Sequence, residues 1–486
     1  MRGAAFLVAA MLLVLAGGCR GDATGPVPVS AIGAAPHAAN PNREPLDAPS
    51  AFLLQSVAQG LVRFDATADI EPGLAQSWIV SNDGLRYTFR LKRARWPDGS
   101  RITAEQVVAR LKAASAPASA NPLKPLLGAI DEIETMTDEV LEISLKSPRT
   151  NFLQLLAQPE MAIVRNGAGS GPLAVEPGKD GAMLLRPPPV QDAEDDIVAE
   201  PLTPVLLRGE AAAMAVARFE AGESQLVLGG TAGDLPVARA AGLPRGALVF
   251  DPVAGLFGLS FGKAGTGPLS HPEARQALAM AIDRPGLVAA LAVPGLAARE
   301  SLTPPGLEGL ANPAAAAWTA LPLPARRAAA RAALAPLLKG ERLHLRVAMP
   351  EGPGWRPVFA LLRRDWATIG VDAMRAGPRD AAADLHFIDE VAPVSLATWY
   401  LRHFTCAASA VCDPAADTAL EAARNALDPA VRAAHLAEAD RSLAAAAPFI
   451  ALAAPVRWSL AAPRLTGFRP NLFGRHPAGE LLRPAP

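Results

Sequence analysis

The residues best equipped for recognition chemistry cluster near position 390. Asp389 and Glu390 are adjacent carboxylates that follow Leu385–Ile388, an apolar run that reads as a strand. That places them just past a strand end, where α/β proteins put ligand contacts. A carboxylate there can hold an ammonium group through charge-assisted hydrogen bonds. The plainer alternative is a pair of solvated loop charges. Trp399, Tyr400, Arg402 and His403 follow shortly after. An aromatic ring beside a guanidinium suits an amphiphilic pocket, although a Trp in such a segment is more often core. None of this is catalytic chemistry. No His-Glu-x-x-His occurs, and no nucleophile elbow is read at a strand-to-helix turn. Glu134 and Asp138 have no spacing that would pair either with a second carboxylate. The seven His are scattered, so no metal site and no cofactor are expected.

The N-terminus carries a different kind of signal. Arg2 precedes an apolar run from Ala4 to Leu15, too short for a permanent membrane span. It ends in Leu15-Ala16-Gly17-Gly18-Cys19, which resembles a bacterial lipobox, with the thiol lipidated and the chain cut before it. An ordinary secretory signal with a chance Cys is the alternative. Either way Met1–Gly18 is a signal peptide outside the fold. Residues 19–41, rich in Ala, Pro and Gly, read as a lipidated Cys followed by a flexible tether. Export implies an oxidising compartment, so Cys406 and Cys412 are expected to form a small-loop disulfide rather than stay reduced. His403 alone would not complete a metal ligand set with them.

The elements that must position these residues come from a chain of 486 residues, too long for one ordinary core. Half of it is apolar, and 46 Lys plus Arg balance 47 Asp plus Glu. No basic excess suggests nucleic-acid binding. The pattern reads as a helix from Ala51 to Phe64 and a strand at Trp78-Ile79-Val80. A hairpin turn follows at Asn82-Asp83-Gly84, and a returning strand runs from Arg86 to Leu91. Thr103-Ala104-Glu105-Gln106 fits a capping box, and Ile130–Leu145 fits two more strands. Val205–Arg208, Glu210–Ala221 and Gln225–Gly229 suggest one βαβ unit. Later come a helix over Pro272–Leu291 interrupted at Pro285, an Ala-rich helix pair over Ala311–Leu338, and a strand at Leu343–Ala348. A helix over Pro357–Ile369, two helices over Ala415–Ala447 and closing strands at Phe449–Leu452 and Val456–Leu460 complete the reading.

Several of these segments together resemble the family 5 extracellular solute-binding proteins, the dipeptide and oligopeptide type receptors of ABC importers. The resemblance rests on Glu71-Pro72-Gly73-Leu74-Ala75-Gln76-Ser77-Trp78, Asn82–Phe89 and Trp96-Pro97-Asp98-Gly99-Ser100. It continues at Arg275–Leu278, Ala281-Ile282-Asp283-Arg284, Cys412-Asp413-Pro414 and Ala447–Ile450. It implies a two-lobed periplasmic-binding-protein-like α/β fold with a small α+β domain inserted in the first lobe. The first lobe would hold 42–65, 161–255 and 456–486, the insert 66–160, and the second lobe 256–455. It further implies a non-enzymatic, monomeric receptor, lipid-anchored on the periplasmic side of the envelope. A small-molecule or peptide ligand and ABC permease subunits would be its partners. Asp47 and Gln55 fall in a segment that reaches the cleft in the family, while Trp78, Trp96 and Asp98 match positions with a structural role. The Asp motif of peptide-binding members is not reproduced cleanly around Phe387–Pro393. A sensing or assembly role for the same fold, or an exported hydrolase, are the other readings.

Overall fold

The computed structural model describes residues 25–188, 202–262 and 267–482. The expected signal peptide and Cys19 lie outside the described residues. Among the described residues no helix is long and apolar enough to cross a membrane.

The first lobe is built on seven strands. Their order is Leu248–Asp251, Arg457–Ala461, Leu226–Thr231, Val27–Ile32, Val205–Glu210, Met183–Arg186 and Ala174–Pro177. Val27–Ile32 runs parallel to both of its neighbours. This corrects the tether: residues 27–32 of the stretch assigned to it form an inner strand. Val27, Val29 and Ala31 alternate onto one face and are buried to 1 % exposure or less, and Ser30 on the other face is fully buried too. The Pro- and Ala-rich composition hid that alternation. The expected βαβ unit is present as Val205–Glu210, Ala212–Glu220 and Leu226–Thr231, but Val27–Ile32 lies between its two strands. The first helix runs over Ala48–Val57 rather than to Phe64. It ends where Ala58 turns extended, at φ −140° and ψ 165°, and two residues on Gly60 is pressed against backbone, where an added Cβ would meet the Leu156 carbonyl oxygen at 2.4 Å.

The inserted unit is an antiparallel sheet in the order Ala75–Val80, Arg86–Leu91, Val140–Leu145, Ile130–Thr137. Gly84 takes φ 68° in the first hairpin turn, and its N–H donates to the Ser81 carbonyl at 2.8 Å. Helix Ala104–Ser115 starts on a complete capping box between Thr103 and Gln106 and buries Val107 and Leu111 in the core that also holds Phe89 and Leu141. The Trp96 ring is buried and its Nε1–H donates to Gln106 Oε1 at 2.7 Å. Asp98 accepts from Ser100 N at 3.0 Å and from Arg165. The Trp-Pro-Asp-Gly turn is thus a local lock. The apolar core of this unit runs without a break into second-lobe residues Val394, Tyr400, Phe404 and Leu420.

The second lobe has five strands in the order Val371–Ala376, Leu343–Ala348, Leu385–Val391, Gly255–Phe261, Phe449–Ala451. Helices Pro272–Ala281, Arg284–Leu291, Leu323–Leu338, Trp355–Ala367, Pro414–Asn425 and Pro429–Ala446 belong to it. The Ala-rich stretch is one long helix preceded by a short 3-10 turn at Ala317–Ala320, not a helix pair. Asp440 accepts from the Ala314 N–H and from Thr303 Oγ1, which holds the preceding residues as a loop. The chain passes between the two large sheets twice, from Asp251 to Gly255 and from Ala451 to Arg457.

Candidate functional site

Those two crossings bring the strand ends of both lobes together. Strand Leu385–Val391 pairs in register with Gly255–Phe261, with Phe257 opposite Asp389 and Leu256 opposite Glu390. Asp389 and Glu390 are therefore inside a strand, not past its end. The ladder partner across the crossing extends the strand three residues further than the apolar run suggests.

Asp389 is matched across the lobes. Arg457 opens first-lobe strand Arg457–Ala461. Its Nη1 donates to Asp389 Oδ1 at 2.8 Å and its Nη2 to the Asp389 carbonyl at 3.0 Å. The two side chains are 10 % (Asp389) and 20 % (Arg457) exposed. Burial pushes the Asp389 carboxyl up from the ordinary range, Arg457 pulls it back down, and Glu390 and Asp234 add to the rise. Close by, the Gly354 N–H donates to the Gly233 carbonyl at 2.8 Å, joining a second-lobe loop to a first-lobe loop. An added Cβ on Gly233 would lie 2.3 Å from Trp355 Nε1, so only glycine lets the indole approach. Trp355 in turn packs on Phe257 and Phe387, with centroids 5.8 and 4.8 Å away. Trp458 donates to the Thr231 carbonyl at 2.8 Å. The site is thus an aromatic floor with a charged centre. Arg457, Asp234, Gly233 and Trp355 were missed in the sequence. Leu228-Gly229-Gly230-Thr231-Ala232-Gly233-Asp234, a glycine-dense strand end, is the signal that marks the first-lobe side.

The other expected site residues separate. Glu390 accepts from His403 Nε2 at 3.1 Å, while His403 Nδ1 donates to the Trp399 carbonyl at 2.8 Å. Burial works to lower the His403 pKa, but the bond and charge of Glu390, with the Trp399 carbonyl, raise it above the ordinary histidine value. Both ring nitrogens then donate. Trp399 is 8 % exposed and stacks edge-on with Tyr400 and His403, so its ring is core. Asp47 caps helix Ala48–Val57, accepting from Ser50 N at 3.0 Å and from Ala34 N at 3.3 Å; its carboxylate is occupied by the fold. Gln55 lines a small cavity with Arg63, Phe64 and Pro477, apart from the lobe junction. Arg402 lines another, between the insert and the second lobe. The letters Gly-x-Ser-x-Gly do occur at Gly258–Gly262, but Ser260 sits mid-strand opposite His386 and Phe449. That is a ladder position, not a strand-to-helix elbow.

Cys406 and Cys412 are disulfide-bonded. The Cys406 N–H donates to Asp417 at 3.1 Å, and Asp413 caps the following helix through Ala415 N. Closing so short a loop stabilises by about 2 kcal/mol on the chain-entropy account. The Cys406→Ser/Cys412→Ser variant is expected to lose that amount in urea unfolding. A loss below about 0.5 kcal/mol would mean that the loop is held by Asp417 and the helix cap instead.

Residues 69–191 and 208–393 match the family described as bacterial extracellular solute-binding proteins, family 5 (Middle). The chain belongs to this family. A glutathione-binding protein of Escherichia coli O1:K1 / APEC is 33 % identical over 123 residues, 25 % of this chain and 24 % of that protein. The match therefore spans about a quarter of the length of the curated relatives. Among solved structures, Haemophilus influenzae OppA complexed with RPPGFSPFR aligns with TM-score 0.80 and 17 % identity, covering 94 % of this chain and 99 % of that one. The Escherichia coli murein tripeptide binding protein MppA aligns with TM-score 0.79 and 20 % identity, covering 94 % and 98 %. At these identities the likeness establishes the two-lobed fold.

Proposed function

We propose that the chain is the substrate-binding component of an ABC importer, which takes a short peptide or similar solute between its lobes and presents it to the permease. The observation that carries this is the double crossing between two separately built sheets, with the polar groups Asp389, Asp234 and Arg457 gathered where the lobes meet. Two short connections permit closure about a hinge, and a ligand touching both lobes shifts the population towards the closed state. The names of its relatives, which bind glutathione, a nonapeptide or a murein tripeptide, favour peptide-like solutes. In this reading Cys19 carries the lipid that keeps the receptor at the envelope surface, and the protein works as a monomer without catalysis.

The test is differential scanning fluorimetry with small-angle scattering against di- and tripeptides, glutathione, amino acids, sugars and metal chelates. Ligand at 100 times its Kd stabilises by about 2.7 kcal/mol, and closure lowers the radius of gyration. A panel that moves neither quantity would remove this reading. One observation favours a second. The lobes are already joined by the protein's own groups, through Arg457–Asp389 and Gly354–Gly233. A receptor fold whose lobes are held together by its own side chains and backbone suits a sensing or assembly role, and the same experiment would give it that flat response.

A further inference from the structure

A cavity is lined jointly by the inserted unit and the second lobe, beside the core they share, and no residue of the lobe junction lines it. Its walls are apolar: Leu126, Phe152 and Leu155 come from the insert, Leu396 and Leu420 from the second lobe. It is a shallow recess, partly open to solvent.

Three arginines line this apolar space. Arg149 belongs to the insert, Arg402 and Arg424 to the second lobe. The Arg149 side chain donates to the Pro148 carbonyl at 3.4 Å. Among the described residues, neither Arg149 nor Arg402 has a carboxylate within ion-pair distance. Arg424 pairs with Glu421 through Nη2, but its buried Nε has no hydrogen-bond partner. The carboxylates in the neighbourhood are engaged elsewhere. Glu308 accepts from Asn151 Nδ2 at 2.7 Å and from Thr150, and Asp417 accepts from Cys406 N. The guanidinium groups feel one another. Burial lowers Arg149 to about 10, with Arg432 and Arg402 adding to the fall and Glu308 opposing it. Burial lowers Arg402 too, Arg424 adds to it, and Glu421 and Asp417 oppose. Like charges gathered on an apolar surface are costly unless an anion joins them.

We propose that this cavity binds a small carboxylate with an apolar tail, its head on Arg149 and Arg402 and its tail on Phe152, Leu155 and Leu420. The planar fork of a guanidinium matches a carboxylate. The leucine and phenylalanine walls select a tail of a few carbons over a fully hydrated anion. Such a ligand contacts the insert and the second lobe together, so it favours the arrangement in which those two bodies touch. The site is independent of any solute held at the lobe junction.

Isothermal titration of the full-length protein with hexanoate, hexanol and hexylamine tests this, because the three share a tail and differ in the head. Hexanoate is expected to bind at least tenfold more tightly than the other two. Arg402→Met is expected to weaken it at least tenfold, and Arg402→Lys to restore part of the loss. Should Arg402→Met unfold, Thr398→Glu places a negative charge on the same wall and is expected to abolish hexanoate binding. Equal affinity for hexanol and hexanoate, or unchanged hexanoate affinity in whichever variant is folded, overturns the proposal.

Discussion

Replacing Arg457 by alanine is expected to destabilise the protein by about 3–5 kcal/mol at neutral pH, the range for breaking one side of a buried ion pair. The loss comes less from the missing contact than from what stays behind. Asp389 is 10 % exposed, and burial already drives its carboxyl upward. Without Arg457 nothing opposes that rise. The carboxyl has one escape, which is to take up a proton, at about 1.4 kcal/mol for each unit of pKa shift. The sign follows. A carboxyl whose folded pKa is raised gives its stabilisation below the unfolded value of about 3.9 and loses it as pH rises through the folded value. The gap between wild type and Arg457→Ala should therefore be small near pH 4 and fully open by pH 8. Urea unfolding at both pH values measures it. The double variant Arg457→Met/Asp389→Leu should recover most of the loss, since apolar replacement of a buried pair is often neutral or better. A pH-independent gap, or no recovery in the double variant, would mean that Arg457 acts through the Asp389 carbonyl alone.

This pair also shows where the sequence is readable and where it is not. Local patterns carry well: the Thr103–Gln106 capping box, the Asn82-Asp83-Gly84 turn and the Trp96–Ser100 lock are all present, because their partners lie within a few residues. The strand Val27–Ile32 is not legible, since its burial is created by Val205–Glu210 and Leu226–Thr231, both nearly two hundred residues away. The site fails for the same reason. Asp389 is visible as a carboxylate near a strand, but its partner is 68 positions later on the opposite lobe. Trp355 and Gly233 meet only because the start of a second-lobe helix meets a first-lobe loop. Asp47 illustrates the opposite error. A carboxylate placed near a cleft by family position is, by local chemistry, an N-cap followed by Pro49 in the first turn, and Asp before such a turn is among the stronger helix-start signals.

Arg284→Ala is expected to cost a comparable amount, about 3–5 kcal/mol, for a different reason. Asp283 and Arg284 are neighbours in the sequence, and the structure sends their side chains to different partners. Asp283 caps helix Arg284–Leu291 through Gly286 N at 3.0 Å, whereas the Arg284 side chain turns inward and is 1 % exposed. Its Nε donates to the Ala451 carbonyl at 2.7 Å and its Nη1 to the Ala279 carbonyl at 2.9 Å. Ala279 lies in the last turn of helix Pro272–Ala281, where carbonyls lack helical partners, and Ala451 ends the edge strand Phe449–Ala451. One guanidinium thus ties a helix end to the strand that leads into the second crossing between lobes, with its carbon 5.6 Å from the Trp318 ring. Burial lowers its pKa to about 10, Glu300 opposing and Arg326 adding to the fall, so it remains charged at pH 7. Each charge-assisted bond contributes about 1.5–3 kcal/mol, and each carbonyl left dry costs about 1–3. Arg284→Met fills the space and removes the buried charge but leaves both carbonyls unpaired, so it should cost less than alanine and more than zero. Urea unfolding of the two variants decides between volume and hydrogen bonding. Methionine as stable as wild type would show that the arginine is held there for its bulk, while methionine as damaging as alanine would show that the two carbonyls carry the whole effect.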